Sequence, residues 1–334
     1  MALVKILNCG FNIEVDRDTI VNEFDSDSHT SNFIKGRVLF HPKIRTLLNE
    51  LVLTVEGVYS VHSFHAYRTI EKTIIKQKLI LSEQNDKGIL LPPTCHEYPF
   101  ELNIPGGLPQ SFKGEFGRVS YKITAIGTLS GRWTMAYIKA ERDLYIFRDM
   151  SPLYDTFRRK LSGTWMNSVS YNITLPKCGF VPGDTIPISF QYHVSNAKMN
   201  LTHMIGFLRE NCMYRMPSDD IASGSIIRED QETLDYCGNY DQVEKDGVWK
   251  MYLKIPNTLT SFSCVSEYTQ IVHKVSFHIE INNGGVLETF TLSLPIFILP
   301  SDFTKHSTDT TFDDVLPSYD IIPPPPSYSE VIVS

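Results

Sequence analysis

The chain has 334 residues, a formal net charge of −7, 42% apolar residues and 21% charged ones. That length points to two domains, and nineteen Phe and sixteen Tyr against 19 Gly exclude a collagen-like or low-complexity chain. Thirty-one basic against 38 acidic residues exclude a binder of phosphate backbones, which needs clustered Lys and Arg, so nucleic acid is not expected as a partner.

The charge is uneven. Residues 301–334 hold six acidic side chains and one lysine, which leaves the preceding 300 residues close to neutral. Met1 to Glu14 carries one lysine and a short apolar stretch broken by Asn8 and Gly10, which does not read as a signal peptide. The longest apolar run, Leu294–Leu299, is far shorter than the roughly 20 residues that a bilayer requires. Six widely spaced cysteines are expected to be reduced thiols, mostly buried, and the sequons at Asn172 and Asn200 to be unused. The expected setting is the cytosol.

Taken along the chain, the apolar pattern repeats mostly every second residue, the signature of strands with one buried face. Ile70–Leu81 is ambiguous, readable as a short helix but rich in β-branched residues. Val119, Tyr121, Ile123 and Ala125 alternate with polar neighbours. The stretch Phe157–Trp165, with Arg158-Arg159-Lys160, reads as a solvated linker between domains. Pro182-Gly183-Asp184 predicts a turn, followed by the alternating strand Ile186–Val194. Asp246-Gly247 predicts a second turn before Trp249, Met251, Leu253 and Ile255. Val275–Ile281 and Phe290–Ile298 alternate likewise, and Asn282-Asn283-Gly284-Gly285 between them suits a tight hairpin. Many short one-faced strands imply sheets packed face to face, an all-β pair of sandwiches. The expected domains are 1–157 and 158–300, with 301–334 a disordered acidic tail rich in Pro, Ser and Thr.

Two stretches carry more specific information. Leu108–Ala125 reads LPQSFKGEFGRVSYKITA, and Lys177–Phe190 reads KCGFVPGDTIPISF. Together they resemble the arrestin family, the first in its N-terminal domain and the second at the opening of its C-terminal domain. Leu51–Val61, with its central Gly57, looks like an early strand of the family, and Leu294-Pro295-Ile296 like its last. In physical terms Gly107, Gly114 and Gly117 permit sharp turns or close backbone approach, and Cys178 and Phe180 should face the core. The resemblance implies two arrestin-like, immunoglobulin-like β-sandwiches and a scaffold, not an enzyme.

The tail narrows the resemblance. Leu316-Pro317-Ser318-Tyr319 and Pro325-Pro326-Ser327-Tyr328 match the L/P-P-x-Y pattern that WW domains bind. Pro323–Pro326 favours the polyproline II shape, so Pro325 and Pro326 can dock on an aromatic groove while Tyr328 fills a second pocket. The two tyrosines lie about 28 Å apart if extended at about 3.1 Å per residue, which suits two linked WW modules. An arrestin-like body with such motifs resembles the alpha-arrestins, or arrestin-domain-containing proteins. This resemblance implies an adaptor that brings WW-domain HECT-type ubiquitin ligases to the cytoplasmic tails of membrane-protein cargo for ubiquitination, endocytosis and transport. Association with plasma membrane and endosomes would then be peripheral and through partners. The other reading is a ligase-independent trafficking scaffold, similar to arrestin-fold subunits of endosomal sorting coats. Tyr319–Ile322 and Tyr328–Val331 also fit the loose Tyr-x-x-apolar sorting signal.

No nucleophile, phosphate-loop or dinucleotide motif occurs, no cofactor is expected, and His96-Glu97 lacks the second histidine of a zinc-protease helix. His193 and His278 fall on the polar faces of strands. The short tail with a WW signature departs from the visual arrestins, so their phosphate-sensing polar core is not carried over; body residues such as Arg142, Arg148 and Arg158 cannot be placed in one from sequence.

Overall fold

A computed structural model describes residues 10–23, 30–63, 68–82, 88–130, 135–150, 159–216, 226–239 and 246–301. Among them the chain forms twenty β-strands and no α-helix. The first five are β1 (Gly10–Val15), β2 (Thr19–Asn22), β3 (Ser31–His41), β4 (Thr46–Ser63) and β5 (Arg68–Ser82). Next come β6 (Ile89–Leu91), β7 (His96–Pro105), β8 (Phe112–Lys113), β9 (Gly117–Ser130) and β10 (Met135–Arg148). The second half opens with β11 (Lys160–Trp165), β12 (Val169–Thr174), β13 (Gly179–Phe180), β14 (Thr185–Val194) and β15 (Met199–Arg215). It closes with β16 (Ile226–Asn239), β17 (Asp246–Lys254), β18 (Cys264–Val265), β19 (Thr269–Asn283) and β20 (Val286–Ile298).

These strands build two sandwiches. In the first, the sheet β1-β3-β7 faces the sheet β2-β10-β9-β4-β5, with β6 on β4 and β8 on β9. In the second, β11-β12-β14-β17 faces β13-β20-β19-β15-β16, with β18 on β19. The cores fill by alternation, as the sequence predicts. Val119, Tyr121, Ile123 and Ala125 of β9 are buried, and so are Ile186, Ile188, Phe190, Tyr192 and Val194 of β14. Each Val, Ile or Phe among them contributes about 1.5–3 kcal/mol by leaving water, and several side chains, including Leu53, Ile123, Phe190 and Phe277, are wholly enclosed.

The predicted turns divide. Val181–Asp184 is a turn in which Gly183 takes φ +91 and the Asp184 N–H donates to the Val181 carbonyl, as expected of Pro and Gly in the two central places. Gly284 (φ +60) and Gly285 (φ +98) close the β19–β20 hairpin. Asp246-Gly247 is not a turn. It opens β17, and Gly247 stands opposite Tyr192, whose hydroxyl would lie 2.5 Å from a Cβ there.

One open reading is resolved and one expectation corrected. Ile70–Leu81 is strand throughout, the interior of β5, paired along its length with β4. It lies at a sheet edge with a register shift opposite Gly57/Val58, which blurs the alternation that marks the inner strands. The expected linker Phe157–Trp165 is largely strand. Its last six residues are β11, whose Trp165 stacks on Phe290 at 5.0 Å. The expected junction at 157–158 lies outside the described residues.

Gly57 shows how tightly β4 is fitted. A Cβ there would stand 2.5 Å from Cε1 of Tyr121 and 2.8 Å from Cγ2 of Ile75. Gly57→Ala should therefore lower stability by about 1–3 kcal/mol. The check is a reduced urea midpoint at unchanged denaturant slope.

Candidate functional site

Leu316, Pro317, Ser318, Tyr319, Pro325, Pro326, Ser327 and Tyr328, the predicted WW-binding residues, lie outside the described residues, as does the predicted disorder of 301–334 beyond Ser301. What the structure does define is the body that precedes them, and above all the joint between its sandwiches.

At that joint Tyr214, near the end of β15, leaves its own sandwich and enters the core of the other. It is 1% exposed and packs in one cluster with Leu108, Phe112, Val119 and Tyr121. Its ring lies 6.3 Å from Phe112 and 6.3 Å edge-on from Phe116. The sequence makes room for it with Gly114 and Gly117. A Cβ at Gly114 would overlap the Tyr214 hydroxyl, and one at Gly117 would lie 2.8 Å from Cδ1. The Gly114-Glu115-Phe116-Gly117 segment is thus a socket for a side chain almost a hundred residues later. Arg228 of β16 seals it, with Cζ 3.4 Å over the Phe116 ring.

A second tyrosine ties the joint from the other side. Tyr59 of β4, wholly buried, donates its hydroxyl to the carbonyl of Arg215 at 2.9 Å. The same oxygen lies 3.3 Å from the Tyr268 carbonyl, and the Tyr59 and Tyr268 rings stand 4.7 Å apart. Burial pushes the Tyr59, Tyr214 and Tyr268 hydroxyls well above their ordinary pKa, so all three stay protonated donors.

Behind the joint sits a buried polar cluster. Glu210 of β15 is 7% exposed and His273 of β19 is fully enclosed, with Nε2 3.0 Å from Oε2. Ser261 also donates to Oε2, and Cys212 to Oε1 at 3.2 Å. Ser263 Oγ lies 2.8 Å from His273 Nδ1 and accepts the Ile298 N–H at 2.9 Å. Burial pushes the Glu210 carboxyl up, yet the bonds from His273, Ser261 and Cys212 outweigh it and hold it below its usual range. The order Ser263–His273–Glu210 has the form of a hydrolase relay, but the serine hydroxyl is enclosed in the sheet interior and already bonded, so it cannot meet a substrate. The cluster pins the segment 261–263, and through it the end of β20, to β15 and β19.

Sequence reasoning missed this pair, although a signal existed. His273 falls in the buried series Ile271, Val275 and Phe277, and Glu210 in the series Leu208, Cys212 and Tyr214. Two polar residues at buried positions of neighbouring strands call for each other. His193 and His278, by contrast, are exposed as predicted.

Of Arg142, Arg148 and Arg158, the two described arginines stand in different surroundings. Arg142 is exposed and paired with Asp18 at 3.0 Å. Arg148, ending β10, lines a crevice of about 330 Å³ between the sandwiches, with Gln110, Met150, Cys264 and Glu267. Arg158 lies outside the described residues. Cys178 and Phe180 are buried as expected, and of the described cysteines only Cys95 is exposed, none being in a disulfide.

The Glu210 cluster gives a pH prediction. A carboxyl held below its unfolded pKa of about 4.3 contributes stability that is complete above that pH and is lost as pH falls through the folded value. Glu210→Gln should therefore destabilise the chain at neutral pH, by about 3 kcal/mol as donors lose their carboxylate. The deficit should shrink in acid, as read from urea unfolding of both proteins between neutral pH and the acid limit of folding.

Comparison with known proteins agrees with this architecture in order. Residues 23–140 match the arrestin (or S-antigen) N-terminal domain, and residues 165–303 the arrestin (or S-antigen) C-terminal domain. The chain is 23% identical over 360 residues to the probable HECT-type ubiquitin ligase-interacting protein creD of Aspergillus oryzae, covering 96% of this chain and 58% of that protein. It is 22% identical to the HECT-type ubiquitin ligase-interacting protein apyA of Emericella nidulans, covering 98% and 96%. It is also 23% identical to arrestin domain-containing protein 17 of Caenorhabditis elegans, over 57% of this chain and 50% of that one. The chain thus spans about half the length of two of these three relatives. The two matched domains take up most of the sequence, in the order of the two sandwiches, and the chain belongs to the arrestin family.

Proposed function

We propose that this chain is an adaptor that recruits WW-domain HECT-type ubiquitin ligases, through Leu316–Tyr319 and Pro325–Tyr328, to the cytoplasmic tails of membrane-protein cargo. The observation that carries the reading is the pairing, in one chain, of an arrestin body with two L/P-P-x-Y motifs in sequence that follows its last strand. That creD and apyA are named as HECT-type ubiquitin ligase-interacting proteins supports the choice of ligase class.

The physical division of labour is simple. The motifs need only a short extended segment. Their proline-rich form lowers the ordering cost of docking. Two motifs in one segment convert the second WW contact into an intramolecular one, which can raise avidity by about 10²–10⁴. The sandwiches supply a stiff platform for cargo, held in the cytosol and recruited to plasma membrane and endosomes by its partners. Ubiquitin transfer then follows from proximity, with endocytosis and transport of the cargo as the result.

The test is binding of the full chain to a tandem WW fragment of a HECT-type ligase. Tyr328→Ala should remove most of the affinity, Tyr319→Ala less, and the double variant nearly all of it. Undiminished binding by the double variant would refute the tail as the ligase handle and favour the ligase-independent scaffold.

A further inference from the structure

One end of the first sandwich carries an apolar surface that the adaptor reading does not use. Pairing puts Leu47 of β4 opposite both Leu90 of β6 and Ser130 of β9, and Ser130 opposite Met135 of β10. Leu90, Leu47, Ser130 and Met135 therefore form one row across four strands on the outer face of the sheet. Their neighbours along the chain, Leu48, Leu129 and Ala136, point into the core. Leu90 is 60% and Met135 63% exposed. Tyr137, 64% exposed, follows on the same face, about 7 Å behind Met135. The loop that leads into β4 adds Ile44, 46% exposed, between the exposed cations Lys43 and Arg45.

Ile44 of the loop before β4, Leu90 of β6 and Met135 at the start of β10 are thus exposed apolar side chains at this end, with Lys43 and Arg45 flanking Ile44 and Tyr137 one row back. Two acidic groups farther along these strands have lysine partners. Glu141 is held by Lys139 at 2.5 Å and Lys122 at 3.1 Å, and Glu50 lies 3.9 Å from Lys78. Among the described residues, Lys43 and Arg45 are exposed cations at this end.

We infer that this end inserts shallowly into an anionic lipid surface. Ile44, Leu90 and Met135 enter the boundary of the acyl region. Tyr137 sits at headgroup depth, where an aromatic ring with a polar tip is favoured. Lys43 and Arg45 meet the lipid phosphates and anionic headgroups. The charge complementarity selects this occupant. The row is about 14 Å wide, too small for a second copy of the chain, since a stable dimer buries about 800 Å² on each partner. A bilayer needs no matching shape and rewards a small apolar tip flanked by cations. Contact of this kind would orient the body on the membrane beside its cargo, in addition to any attachment through partners.

The experiment is co-sedimentation of the full chain with phosphatidylcholine vesicles, with and without phosphatidylserine. The chain should bind the phosphatidylserine vesicles, less well as salt rises. The variant Ile44→Asp/Leu90→Asp/Met135→Asp and the variant Lys43→Glu/Arg45→Glu should each bind at least about tenfold more weakly. Both should keep the parent's unfolding midpoint, because the altered side chains are exposed. Tyr319→Ala/Tyr328→Ala should bind vesicles like the parent, which separates this result from the fate of the ligase reading. Absence of binding by the parent chain, equal binding to both vesicle types, or undiminished binding by the tip variants would overturn the inference. So would a change from dimer to monomer on altering the tip, which would make the face an interface between copies.

Discussion

The body depends on one side chain in the wrong sandwich. Tyr214 belongs to β15 by sequence and to the first core by burial. A buried tyrosine brings a large apolar area and a hydroxyl that must be satisfied. Here the area is matched by Phe112 and Phe116, and the space by two glycines. Tyr59 answers it by donating to the backbone just beyond Tyr214. Cys212, Cys264, Tyr268 and Ile271 continue the same apolar cluster from the second sandwich. A joint of this kind resembles the inside of a domain more than a contact between two, and separating the halves would expose an apolar core. The Glu210–His273 cluster stands directly behind it on the same strands, so a polar network holds the apolar joint in register.

That arrangement gives physical content to the idea of a scaffold. An adaptor must hold one partner at a defined position relative to another, and a hinge that opened freely would lose that geometry. Glycines at the socket and tyrosines at the seam join the two sandwiches through one shared buried cluster. The proposed ligase motifs need no such rigidity, since polyproline II segments dock with little ordering cost. The proposed lipid contact does need it, because a tip orients a body only when the body is stiff.

The sequence was most legible where a strand has one wet face and one dry one. β9, β14 and β20 could be read from alternation, and the Pro182-Gly183 and Gly284-Gly285 turns from backbone preference. It was less legible at edges. Among the described residues β5 has no strand paired on one side, so its inner positions are half wet and its pattern fits helix and strand alike. Gly247 looked like a turn residue because glycine has two uses, and here the missing side chain accommodates Tyr192. The joint itself could not be read, since its bonds link residues 156 and 209 positions apart. Gly114 and Gly117 signalled a close approach, but no local rule could name Tyr214 as the group approaching. The proposed WW motifs are a different case, a short contiguous pattern that can be proposed from sequence alone and that lies outside the described residues.

The most direct test of the joint is scanning calorimetry of the full chain beside Tyr214→Ala. If the sandwiches are one piece, the parent chain shows a single cooperative transition, while Tyr214→Ala unfolds at lower temperature in two resolved steps. Two independent transitions in the parent, or a Tyr214→Ala variant that melts as the parent does, would contradict the claim that this side chain unites the body.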